Sequence, residues 1–182
     1  MLDREPLRPI LILGPGCSGT SAIADTLQRT QNVCFVHTEG VEDHGKPMME
    51  DRGAKRDTEA MVWGAYGMTP KIWVRNLGLR HPRCGKVGVK NLWLGLLAQE
   101  QLNVINPLLV IETVRERGAC VSSLERYGTK DPEAWYDQRV EQIQRLDWEP
   151  WASIEMDGDK RRYTPQELEH MAEGWMRMVK ED

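Results

Sequence analysis

The 182-residue chain contains no apolar run approaching the ~20 residues that a membrane-crossing helix requires. Its opening, Met1-Leu2-Asp3-Arg4-Glu5-Pro6, is charged and lacks the apolar stretch of a secretory leader. Cysteine is sparse: Cys17, Cys34, Cys84 and Cys120 are far apart, with no C-x-x-C pair and no metal-finger spacing. These absences predict a cytoplasmic chain with reduced thiols, no disulfide framework and no bound metal. An excess of charge is lacking as well. The 24 Lys+Arg against 28 Asp+Glu leave a net charge of −4, which excludes a broadly basic, nucleic-acid-coating surface but leaves room for a local basic pocket. Phe occurs once against seven Trp. Tryptophan carries an N–H that needs a partner, so this usage suits clefts and half-open surfaces as well as a core. Repeats and low-complexity linkers are missing, and the ordinary hydrophobic content and length fit one domain spanning 1–182.

What is present is an alternation of strand-like and helix-like segments. Pro9-Ile10-Leu11-Ile12-Leu13 is a continuous apolar run closed by Gly14-Pro15-Gly16, the pattern of a strand buried on both faces. Thr20 to Arg29 has helical spacing, and Val33 to Val36 reads as a second strand. Further strands are expected at Gly85–Val89, Leu108–Ile111 and Trp151–Met156. Helices are expected at Thr58–Tyr66, Leu92–Leu102, Arg117–Tyr127 and Pro132–Leu146, where Asp131-Pro132 is a cap followed by a first-turn proline. A last helix opens with the capping-box pattern Thr164-Pro165-Gln166-Glu167. The order predicts an α/β fold: a three-layer, P-loop-like domain with a mainly parallel central sheet flanked by helices.

The segment Gly14-Pro15-Gly16-Cys17-Ser18-Gly19-Thr20-Ser21 joins the first strand to the first helix. Backbone N–H groups of such a turn, together with the helix N-terminus, form a cradle for a phosphate. The hydroxyls of Ser18, Thr20 and Ser21 add donors. The spacing nearly matches the nucleoside-triphosphate loop G-x-x-x-x-G-K-[ST], but Thr20 stands at the lysine position.

The loop resembles the first motif of sulfotransferases that use 3′-phosphoadenosine 5′-phosphosulfate (PAPS), G-x-x-[RK]-S-G-T-[ST], through Gly14, Ser18, Gly19, Thr20 and Ser21. Arg115 and Ser123-Leu124, after the Leu108 strand, are similar to that family's second motif. Gly45-Lys46-Pro47-Met48-Met49-Glu50-Asp51-Arg52 and Gly88-Val89-Lys90-Asn91 are similar to two weaker segments of bacterial members. The resemblance implies PAPS as donor, with Gly14, Gly16, Cys17, Ser18, Gly19, Thr20 and Ser21 around its 5′-phosphosulfate. It also implies that Arg115 and Ser123 hold the 3′-phosphate, a task for which a guanidinium fork and a helical hydroxyl are well suited. Three departures stand out: Cys17 replaces the Arg/Lys of the first motif, the glycine-rich basic motif near the C-terminus of many eukaryotic members is not visible, and the chain is short.

Sulfuryl transfer needs in-line positioning, cations on the equatorial oxygens and a base for the acceptor hydroxyl. Lys90 or Lys86 could supply the charge that Cys17 does not, with Lys46 and Arg52 as loop alternatives. Glu50 is the preferred base and His37 the second candidate. The expected acceptor is a hydroxyl or amine of a small molecule or carbohydrate. Neither nucleic acid nor a membrane is expected as a partner, and the short acceptor region is either reduced or completed by another subunit of a homo-oligomer. Two other readings stay open: a P-loop nucleotide or small-molecule kinase, and a non-catalytic nucleotide-binding protein on a degenerate sulfotransferase frame.

Overall fold

A computed structural model describes residues 8–37, 41–42, 86–90, 98–156 and 163–179. Six strands form one sheet: β1 (Ile10–Leu13), β2 (Val33–His37), β3 (Val41–Glu42), β4 (Lys86–Lys90), β5 (Leu109–Arg115) and β6 (Trp151–Met156). Their order is β3-β2-β4-β1-β5-β6. Every pairing is parallel except the short β2–β3 one, which leaves a five-stranded parallel sheet with β1 at its centre. The predicted α/β architecture is the observed one.

Five helices are described: α1 (Thr20–Gln31), α2 (Gln99–Ile105), α3 (Arg117–Arg126), α4 (Pro132–Gln144) and α5 (Pro165–Met178). Strand alternation sorts the apolar residues into two layers. Ile10, Ile12 and Ile111 pack with Ile23 and Leu27 of α1 and with Leu168 and Trp175 of α5. Leu11, Leu13 and Val110 face the other way, onto Leu102 and Ile105 of α2 and Ile143 of α4. Because β1 is covered on both faces and both edges, all four of its residues are buried, which is why it reads as an unbroken apolar run. A smaller cluster of Cys120, Val121, Leu124 and Tyr136 joins α3 to α4 beside the carboxyl end of β5.

Most predicted elements are found with small shifts in their ends. β5 runs on to Arg115, well past the predicted Ile111, because β6 pairs with it from Val110↔Trp151 to Arg115↔Met156 and keeps polar Glu112 and Thr113 in the ladder. Within the described residues, the helix expected at Leu92–Leu102 begins at Gln99 and continues to Ile105, ending at left-handed Asn106 before Pro107. The Thr58–Tyr66 helix lies outside the described residues. α5 starts with the capping box expected at Thr164 and Glu167.

The thiol expectation needs correction. Cys34 is disulfide-bonded, whereas Cys17 and Cys120 are not. Disulfide formation depends on proximity in the fold, which wide spacing along the chain does not forbid. Among the described residues, no helix is long and apolar enough to cross a membrane.

Candidate functional site: the loop between β1 and α1

The chain leaves β1 at Leu13 and enters α1 at Thr20 through two left-handed residues, Cys17 (φ 64°) and Gly19 (φ 94°). Gly19 is required twice over. Its φ disfavours a side chain, and a Cβ there would lie 2.8 Å from the methyl carbon of Met156. As the residue that caps α1, Gly19 also supplies no side-chain hydrogen bond, and the first turn of α1 carries no acidic residue. Ala22 N–H and Ile23 N–H already donate to the Gly19 carbonyl, at 3.0 and 3.4 Å, so any free donors of this turn are those nearer the loop, and no capping carboxylate competes for them.

The underside of the loop is fixed to β5. Ser18 Oγ and Thr113 Oγ1 are 2.6 Å apart, and Thr113 Oγ1 donates to Leu13 O at 3.3 Å. With the Thr113 proton given to that carbonyl, Ser18 is the donor to Thr113, and both buried hydroxyls are satisfied. Gly14 makes room for this pair: a Cβ there would overlap Thr113 Oγ1 and stand 2.5 Å from Ser18 Oγ.

Two cations reach the loop from neighbouring strands. Lys90, at the carboxyl end of β4, donates from Nζ to Ser21 Oγ at 2.7 Å, although its side chain is almost wholly enclosed. Arg115, at the carboxyl end of β5, donates from a terminal guanidinium nitrogen to Cys17 O at 2.6 Å. The Arg115 carbonyl in turn accepts from Tyr136 Oη at 3.1 Å. Parallel strands deliver both cations to the same end of the sheet as the loop, where ligands of open α/β sheets bind. Lys86 stands at the opposite end of β4 and has no place at this site.

The remaining predicted residues are distributed differently. Thr20, at the kinase-lysine position, is buried. The Cys17 side chain packs against the α3–α4 cluster, and burial pushes the nearby Cys120 thiol up to about 11, so that group stays protonated. Ser123 is buried on α3, where its hydroxyl accepts from Arg126 at 3.1 Å. His37 lies directly opposite Lys90 in the β2–β4 register. Glu50 lies outside the described residues. Glu112 of β5 accepts from Trp151 Nε1 (3.2 Å) and Ser153 Oγ (3.0 Å). Thr113, Tyr136, Trp135 and Met156 also touch the site or its supports, and none of them stands out in the sequence.

No protein-family model matches the chain, and no curated protein matches it significantly. Solved structures do. A candidate kinase from Chloroflexus aurantiacus superposes with a TM-score of 0.57 at 11% identity, covering 97% of this chain and 100% of that one. Shikimate kinase from Acinetobacter baumannii, in complex with shikimate, gives 0.51 at 13% identity, over 96% and 94% of the two chains. Shikimate kinase from Aquifex aeolicus gives 0.50 at 18% identity, over 93% and 96%. This chain shares its α/β fold with these kinases. At these identities the likeness concerns architecture, and it lends no support to the sulfotransferase resemblance.

Proposed function

We propose that this chain is a P-loop transferase, holding the phosphates of a donor nucleotide on the Gly14–Ser21 loop and moving its terminal group to a small acceptor. The observation that carries this reading is the convergence of Lys90 and Arg115, from the two strands flanking β1, on a glycine loop whose helix is left uncapped. Loop amides and two cations at one sheet end are what an anionic group in transfer requires.

Two readings of the donor follow. Phosphoryl transfer from ATP to a small-molecule hydroxyl is the one the comparisons favour, since the similar structures are kinases and one of them holds shikimate. Sulfuryl transfer from PAPS to a small-molecule or carbohydrate acceptor is favoured by a specific contact. In a P-loop kinase the hydroxyl at the Ser21 position meets magnesium and the preceding lysine meets the β/γ-phosphates. Here Lys90 is bonded to the Ser21 hydroxyl and Thr20 occupies the lysine position, so a second cation at Ser21 would face a like charge. These residues do not fit magnesium at that hydroxyl. In the PAPS reading Lys90 stabilises the transferring group, Arg115 serves the 3′-phosphate, and Glu50 or His37 takes the acceptor proton.

One measurement separates the readings. Melting temperature is followed with PAP (the desulfated donor) and with ATP, each with and without magnesium. A ligand at 100 times its Kd stabilises by ~2.7 kcal/mol, well above detection. A metal-independent shift with PAP supports sulfuryl transfer. A magnesium-dependent shift with ATP, accompanied by hydrolysis, supports the kinase. PAP binding without transfer to any of a broad acceptor panel supports the non-catalytic reading. A shift with neither nucleotide overturns the transferase reading altogether.

A further inference from the structure

The loop is also pressed from the side by α4. A Cβ on Gly16 would lie 3.1 Å from Trp135 Cη2, 3.2 Å from Trp135 Cζ3 and 3.0 Å from Leu124 Cδ2, so the edge of the indole ring abuts the loop backbone. One turn further along α4, the guanidinium carbon of Arg139 stands 4.7 Å from the Trp135 ring centroid, with Arg139 only 2% exposed. A buried guanidinium over an indole face restrains the ring from behind. Tyr136, adjacent to Trp135 in sequence, holds the Arg115 carbonyl. Consecutive residues of one helix thus touch the loop and the arginine that bonds to it. That helix is braced against α3 by Arg117, which pairs with Asp137 at 2.8 Å and Glu133 at 3.2 Å.

We infer that Trp135, backed by Arg139, is a positioning residue for the anion loop: its ring edge sets where the Gly16 backbone lies and so holds the loop in its anion-accepting shape. The inference rests on the reading that the loop binds the donor nucleotide. Amide donors act on an anion only when held to within about half an ångström of their productive place. The closeness of the contact has a further consequence: anion binding on the loop alters the surroundings of Trp135.

The test uses the full chain, with PAP and ATP–magnesium binding measured by calorimetry and tryptophan emission. Gly16→Ala pushes the loop off the ring and is expected to weaken nucleotide binding roughly tenfold, the effect of a modest overpacking. Trp135→Phe removes the ring edge and weakens binding about threefold by itself. Combined, the two substitutions relieve each other, and the double variant binds within about threefold of wild type, a coupling that independent sites do not show. Strictly additive losses overturn the inference. Emission provides a second readout should Gly16→Ala fail to fold: the nucleotide-induced change seen in wild type is lost in Trp135→Phe while calorimetric binding persists. An emission change of undiminished size in Trp135→Phe also overturns it. If wild type binds neither nucleotide, the transferase reading and this inference fall together. If wild type binds and the variants behave additively, only the positioning role falls.

Discussion

The two strands that flank β1 serve the loop in different ways. β4 contributes a charge, Lys90, which bonds to Ser21 at the start of α1. β5 contributes a layered support: Thr113 under Ser18, Arg115 on the Cys17 carbonyl, and the α3–α4 pair that follows it, with Trp135 against Gly16. The difference is one of kind: β5 meets the loop through several bonds and packed side chains, and β4 meets it through a charged group.

Four substitutions sharpen or break this division. The largest effect is expected from Lys90→Met, which retains an apolar stem and deletes the charge. Transfer from whichever donor binds should fall ~10²–10³-fold in kcat with little change in melting temperature, as removal of one preorganised charge-stabilising group does elsewhere. A large fall in melting temperature with unchanged turnover would make Lys90 a structural residue and erase the distinction. Gly14→Ala attacks the other side. Its methyl overlaps the Thr113–Ser18 pair, and a loss of about 3 kcal/mol in denaturant unfolding is expected, at the upper end of overpacking costs. Thr113→Val leaves the buried Ser18 hydroxyl without its partner and should cost about 1–2 kcal/mol, with donor affinity weakening in parallel. Undisturbed affinity in a destabilised Thr113→Val protein would show that the β5 support serves folding alone.

The smallest effect belongs to the cap that follows β5. Glu116 accepts from the N–H groups of Gly118 and Ala119, which hold its carboxyl below the usual 4.5. A folded-state pKa that is lowered gives stability fully present above the unfolded value and lost as pH falls through the folded one. The melting-temperature advantage of wild type over Glu116→Gln should therefore be constant above pH 4.5 and close progressively below it. A gap independent of pH would show that the carboxylate charge contributes nothing to the cap.

The parts of the fold legible in the sequence are those written in local patterns. Ile10–Leu13 between Pro9 and Gly14, the cap-and-proline start at Asp131-Pro132 and the Thr164 capping box each depend on residues a few positions apart, and each element stands where expected. The glycine loop was legible for a similar reason, and motif spacing names Lys90 and Arg115 at strand ends without showing that Arg115 bonds to the Cys17 carbonyl. The supports were not. Thr113 and Ser18 are 95 residues apart, and their bond exists only because the parallel register sets Glu112 beside Leu13, one step short of Thr113. Trp135 reads as a residue for core or partner packing in the C-terminal third, and only the crossing of α4 over the loop shows what its ring edge meets. The Cys34 disulfide escaped for the same reason, since nothing local marks the proximity that makes it.

The enclosure of Lys90 bears on how the site responds to its ionic surroundings. Exposed charges are screened within about 8–10 Å at physiological salt, whereas an ammonium at 9% exposure is largely out of reach of mobile counterions. An anion held there gives up little of its attraction as salt rises, so the grip of this loop should persist at ionic strengths that strip ligands from a surface basic patch.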